Sequence, residues 1–158
     1  MRGNDKVIAY LNEALKAELT AISQYFLHAE MCDNWGYKKL GDYAKKESID
    51  EMKHAEVLIE RILLLEGSPL MHDLFPLKIG QNVKDQLGND LALEFAAVTR
   101  LNNAIKTAVE AADNGSRDLF EKILIDEEHH VDWLEAQLHA IQEIGIENYL
   151  AQQLHEKD

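Results

Sequence analysis

The chain has 158 residues, with 16 Lys and Arg against 29 Asp and Glu and a formal net charge of −13. That length suits one domain with a real core, and that charge argues against a nucleic-acid partner and against an anionic membrane surface. Cys32 is the only cysteine, which excludes an intramolecular disulfide, a paired-thiolate zinc site and a rubredoxin-type iron site, and points to a reducing compartment.

Helical periodicity runs along most of the chain, and both prolines, Pro69 and Pro76, fall in one stretch, so an all-α protein is expected. The start, "MRGNDKVIAY", lacks the long apolar run of a signal peptide. Asn4 or Asp5 caps a first helix that ends near "DNWG". A second helix runs from about Lys38 to Glu66 and stops at "GSP". Its apolar part, "VLIERILLLE", is broken by Glu60 and Arg61 well short of the ~20 residues of a membrane span. A soluble cytoplasmic protein is the expectation. A third helix begins near Asn82 or Val83 and ends at "DNG", with Gly88 inside it arguing for a later start. Ser116 caps a fourth that ends around Gly145, and "ENYLAQQL" forms a short fifth. The bundle occupies residues 1–145, and 146–158 form the short C-terminal helix and tail of the same domain.

Link lengths set the topology. The links at 34–37 and 113–116 are short and join antiparallel neighbours. The link at 67–82 is long: sixteen extended residues reach about 50 Å, and the second helix is about 43 Å long at ~1.5 Å per residue. The link can therefore cross the whole bundle, leaving helices two and three parallel. The expected fold is a four-helix bundle of two hairpins joined by a crossover.

Alternating steps of three and four trace one seam per helix. The first reads Leu11, Leu15, Glu18, Ile22, Tyr25, Ala29; the second Ala44, Ser48, Glu51, Ala55, Leu58, Ile62, Leu65. The third reads Leu87, Leu91, Glu94, Val98, Leu101, Ile105; the fourth Phe120, Leu124, Glu127, Val131, Leu134, Leu138, Ile141. Each carries one glutamate on a mostly apolar stripe. Glu18 and Glu51 are 33 residues apart, as are Glu94 and Glu127; His54 and His130 each follow a seam glutamate by three. The chain reads as two copies of a hairpin, each supplying Glu, then Glu-x-x-His.

Four carboxylates facing one another in a core repel and take up protons. No lysine or arginine lies on these seams, whereas two divalent cations balance the four charges and two neutral imidazoles complete the shells. The i, i+3 spacing aims each Glu-x-x-His at one side of a turn. This ligand set is that of di-metal carboxylate bundles. It suits iron or manganese, with zinc able to occupy it. Glu51 and Glu127 are the natural bridges, with Glu18 and Glu94 terminal.

Over nearly its whole length the chain resembles bacterioferritin, the haem-containing branch of the ferritins. The likeness rests on "ISQYFLHAEMCDNWGYKKLG" (22–41), "ESIDEMKHAE" (47–56), "RILLLEG" (61–67), "DEEHHVDWLEAQL" (126–138) and "IGIENYL" (144–150). It implies a ferritin-like bundle that assembles as a homo-oligomer, a hollow cage of twenty-four subunits built from two-fold dimers. It implies iron storage and detoxification, with Fe(II) oxidised by O2 or H2O2 at an intrasubunit di-iron centre and ferric mineral deposited inside. The family's ferroxidase ligands fall on Glu18, Glu51, His54, Glu94, Glu127 and His130. The resemblance also makes Met52 an axial ligand of haem b. At about 100° per residue Met52 points away from the seam that Glu51 faces, toward a subunit contact. One methionine per chain then requires a haem shared between two subunits. A small ferredoxin is implied as the electron donor for iron release.

Tyr25 and Trp133 match family aromatics near the di-iron site, in electron transfer or in packing. The chain departs from some family members at Lys46, where they have a histidine beside Asp50, and at Leu58, where they have tyrosine. Both departures weigh against an inner-surface iron site on Glu47 and Asp50 and against a three-aromatic electron route. His28, His72, His129, His139 and His155 receive no role, most being expected at the surface. The competing readings are a different di-metal enzyme on the same bundle and a non-enzymatic cage or helical interaction module.

Overall fold

The structure is a computed structural model and describes residues 1–154; His155 lies outside the described residues. Five helices follow one another: α1 Asp5–Trp35, α2 Lys38–Leu64, α3 Val83–Glu110, α4 Asn114–Ile144 and α5 Ile146–Ala151. Asn4 caps α1, its side-chain oxygen accepting from the backbone N–H of Lys6 and Val7. Asn82 does the same for α3 through Asp85, so α3 starts where the cap dictates and Gly88 is carried inside it. Gly36 ends α1 at φ 89, the left-handed conformation that glycine adopts without steric cost.

Two boundaries differ from expectation. The cap of α4 is Asp113, not Ser116: the Asp113 carboxylate accepts from the Ser116 backbone N–H at 3.0 Å and from its hydroxyl at 2.7 Å. A carboxylate reaches the free amide of the first turn from outside the helix, and Arg61 pairs with it at 2.7 Å. Ser116 is instead a fully buried first-turn residue. Helix α2 stops at Leu64, because Glu66 turns to φ 62 and Gly67 N–H closes back on Ile62 at 2.9 Å.

Two apolar clusters fill the bundle. One joins Leu11 and Leu15 of α1, Leu58 and Ile62 of α2, Leu101 of α3, and Phe120 and Ile123 of α4. The other joins Cys32, Leu40, Leu87, Leu134, Ile141 and Tyr149. The first cluster thus gathers the early turns of α1 and α4 with the late turns of α2 and α3, so α2 and α3 run parallel as the long link requires. Glu18, Glu51, Glu94 and Glu127 lie along their helices between the two clusters.

The seams of α1 and α2 are buried as expected, Ile22 being half-buried. Those of α3 and α4 are rotated. Ala97, Ala104 and Ala108 of α3, and Ile123 and His130 of α4, take the buried positions, while Leu91, Val98, Ile105, Leu124, Val131 and Leu138 are only half-buried. On α3 the alanines of the inner face let the neighbouring helix approach closely and leave the larger side chains at the flanks.

The crossover has no regular structure of its own, and α1 supplies its partners at intervals of four. Asn12 takes the Leu70 N–H and donates to the Ser68 carbonyl. Lys16 pairs with Asp73 at 3.5 Å and lies over the Phe75 ring. Thr20, Gln24 and His28 accept from the N–H groups of Phe75, Lys78 and Gly80 at 2.9, 3.1 and 3.1 Å. Residues four apart share one helix face, so a single stripe of α1 satisfies the backbone of an extended strap. His28 is therefore not a surface residue but a buried acceptor, 1% exposed, with Nδ1 3.0 Å from Asp90.

Candidate di-metal site

The four central glutamates point inward, each 3% exposed or less. Glu18, Glu51, His54 and Glu127 bring one donor atom each within 4.8 Å of one another, and so do Glu94, Glu127 and His130. All six residues singled out from spacing therefore converge, in two groups that share Glu127. Nδ1 of His54 stands 3.2 Å from Glu127, 3.3 Å from Glu51 and 3.6 Å from Glu18. Nδ1 of His130 stands 3.5 Å from Glu94, 3.6 Å from Glu127 and 3.7 Å from Glu51. Glu51 and Glu127 are thus the two carboxylates near both imidazoles.

Each of the six presents a buried polar atom that lacks a hydrogen-bond partner: Glu18 Oε2, Glu51 Oε1, Glu94 Oε2, Glu127 Oε1, and Nδ1 of His54 and His130. Orphaned buried atoms are costly singly, and six aimed at one another fit cations between them.

Electrostatics agree with this reading. Burial, then the Glu127 charge, pushes Glu94 up to about 8 and raises Glu18. Burial and the Glu18 charge push Glu51 well up. Burial pulls both imidazoles down, but their carboxylate partners outweigh it, and both end above the ordinary histidine range. Without cations the layer holds protons; a divalent ion must displace them.

The outward nitrogens are also held. His54 Nε2 donates to Asp126 at 2.8 Å, and His130 Nε2 lies 2.6 Å from Glu47. A carboxylate on the far nitrogen fixes which nitrogen faces the metal and raises its basicity. The Tyr25 hydroxyl donates to Glu94 at 2.6 Å, placing that aromatic against the site. Asp126 had no place in the reading from sequence, and Glu47 entered it only through an inner-surface iron site, not as a partner of His130. That partnership was within reach, Glu47 lying one turn before Glu51 on the same face. Asp126 precedes a seam residue by one and has no periodic signal. Met52 stands apart from the six, 47% exposed on the outer side of α2.

Two antiparallel helix pairs, a strap crossing from one to the other and a carboxylate–imidazole layer at mid-height define a ferritin-like bundle. The ferritin-like domain family matches residues 8–144. The chain is 48% identical over 152 residues to the bacterioferritin of Mycolicibacterium paratuberculosis, covering 96% of each chain. It is 48% identical over 151 residues to that of Streptomyces coelicolor, covering 96% of this chain and 90% of that one. With that of Brucella melitensis the identity is 44% over 149 residues, 94% of this chain and 92% of the relative. The chain belongs to the bacterioferritin family. Among the described residues no helix is long and apolar enough to cross a membrane.

Proposed function

We propose that the protein stores and detoxifies iron as a ferroxidase. Fe(II) is oxidised at the intrasubunit site by O2 or H2O2, and the ferric product is deposited as mineral inside a cytoplasmic cage. The observation that carries this reading is the convergence of six buried donors in two groups sharing Glu127.

In this reading Glu18, Glu51, His54 and Glu127 hold one ferrous ion, and Glu94, Glu127, His130 and Glu51 the other. Iron is substrate here. The protein contributes placement of the donors, exclusion of bulk water by the two flanking apolar clusters, and charge compensation. As iron binds, the protons held by the carboxylates and by Nδ1 of each imidazole leave, while Asp126 and Glu47 keep the outward nitrogens in place.

Haem fits Met52 on chemical grounds. A thioether is a suitable axial ligand, Met52 is exposed on the outer side of α2, and Ile49, one turn earlier, is 42% exposed beside it. Met52 and its copy on a second subunit would hold haem b, which would supply a redox centre for electrons on their way to stored iron, with a small ferredoxin as their source. The two-fold dimers build a homo-oligomeric cage of twenty-four subunits.

The test is aerobic addition of Fe(II) in excess. Many ferrous ions oxidised per subunit and retained in a particle of cage mass support storage. Turnover of an organic substrate or of peroxide by a small oligomer without mineral would favour a different di-metal enzyme.

A further inference from the structure

The core between the carboxylate–imidazole layer and the second apolar cluster is not completely filled. An internal cavity of about 20 Å³ borders both. Leu40, Val83, Leu87 and Leu134 bring the cluster to its wall, and Tyr25, whose hydroxyl donates to Glu94 at 2.6 Å, brings the layer. Close-packed interiors hold few voids larger than a water molecule, and roughly 10–15 Å³ is enough for one. The cavity therefore holds one small molecule.

The wall does not suit water. Its polar groups are already engaged. Asp90 accepts from Gln24 at 2.8 Å and faces His28 Nδ1 at 3.0 Å. Gln86 takes the Cys32 thiol at 3.2 Å and donates to the Gly80 carbonyl at 3.2 Å. A buried water needs about two to four polar partners, and an apolar cavity without them stays dry. The same reasoning disfavours H2O2, which also carries hydrogen-bond donors and acceptors. An apolar diatomic gas needs none.

We propose that this cavity is a dioxygen site that supplies oxidant to the iron pair. The proposal rests on the ferroxidase reading and adds a route for one oxidant. Dioxygen is apolar and is favoured in apolar surroundings over water, so the cavity concentrates it one side chain, Tyr25, away from the ligand Glu94. On the outer side, Tyr43 and Trp133 belong both to the cavity wall and to the wall of an open hollow of about 500 Å³. Their rings lie flat on each other, centroids 3.5 Å apart and planes 12° from parallel, and both are half-buried. The stack closes the cavity to bulk water, while side-chain motion admits a diatomic gas. The hollow is polar, and His54 and His130 line it directly. Peroxide reaches the layer from there without entering the cavity.

The test compares the unaltered assembled protein with Ala44→Val and Val83→Ile, which fill the cavity from α2 and from α3 and alter no proposed iron ligand. Initial rates of Fe(II) oxidation are measured against O2 concentration and, without air, against H2O2 concentration. Crystals of the unaltered protein are also pressurised with xenon, an apolar probe of similar size. Expected is a fall of about fivefold or more in kcat/KM for O2 in each variant, with that for H2O2 held within about twofold, and xenon bound in the cavity. Unchanged O2 dependence in variants of full assembled mass would overturn the proposal. An equal fall with both oxidants would overturn it too, by assigning the effect to the iron ligands. Should neither variant assemble, the xenon map of the unaltered protein decides, and a cavity without xenon would overturn the proposal. No iron oxidation by either oxidant in the unaltered protein would overturn the ferroxidase reading as well.

Discussion

His130 reaches in two directions at once: Nδ1 faces Glu94 at 3.5 Å inside the carboxylate layer, and Nε2 lies 2.6 Å from Glu47 outside it. Glu47 is 4% exposed and belongs to the turn of α2 before Glu51. A buried carboxylate therefore faces the outward nitrogen of this imidazole before any cation arrives. Replacing Glu47 with glutamine keeps the shape but removes the charge that makes Nδ1 a strong donor. Glu47→Gln is expected to weaken divalent-metal binding about 10–100-fold, measured by anaerobic titration with Co(II). Unchanged affinity would show that this carboxylate is dispensable.

Glu94 accepts a hydrogen bond from Tyr25 and is otherwise held near protons rather than partners. Glu94→Ala is expected to reduce ferrous oxidation at least tenfold while the helical signal and assembled mass persist, because the flanking apolar clusters do not depend on it. Full activity in both Glu18→Ala and Glu94→Ala would instead favour a non-enzymatic cage.

The metal-free layer makes stability depend on pH in a definite direction. Glu94 is protonated in the fold up to about 8 but ionises near 4.5 when unfolded. Folding therefore retains a proton across that window, and its stabilising effect is present below about 4.5 and lost as pH rises through 8. Glu18, Glu51, His54 and His130 are raised as well and act in the same sense. The melting temperature of metal-free protein is expected to fall by several degrees between pH 5 and 9. A saturating divalent cation, which replaces those protons, flattens the profile. Equal slopes with and without metal would contradict this.

Asp113 is held below the usual carboxylate range: burial opposes ionisation, but hydrogen bonds from Ser116 and Arg61 outweigh it. Its stabilisation is present above the unfolded carboxylate pKa and lost as pH falls through the depressed folded value. Asp113→Ala is expected to cost about 1–2 kcal/mol at neutral pH, and less in acid, by chemical denaturation. A loss that does not shrink in acid would assign the effect to packing.

Met52→Leu is expected to abolish the haem absorption bands of reconstituted protein. Bands of undiminished intensity would remove Met52 as the ligand.

What could be read from sequence follows from periodicity. Glu18, Glu51, Glu94 and Glu127 stood out because one charged residue interrupts each apolar stripe, and 33-residue spacing repeats in both hairpins. The parallel course of α2 and α3 followed from the reach of the crossover. The inner face of α3 was misplaced by a fraction of a turn because Val98 and Ile105 flank the core while Ala97, Ala104 and Ala108 fill it, and on α4 Ile123 and His130 take buried places beside half-buried Leu124 and Val131. The α4 cap was misread because Asp113 and Ser116 both have cap chemistry, and Arg61, far away in sequence, decides between them. His28 and the stack of Tyr43 on Trp133 were invisible because each depends on a partner from another segment: the strap for the first, α4 for the second.

The most direct measurement is the stoichiometry of anaerobic Co(II) binding, followed by its visible absorption bands. Two ions per subunit are expected, with proton release on binding, and fewer than one in Glu51→Ala, which removes a carboxylate lying between both imidazoles. Binding below one ion per subunit in the unaltered protein, or two in Glu51→Ala with the same bands, would contradict a cation pair at the centre of the bundle.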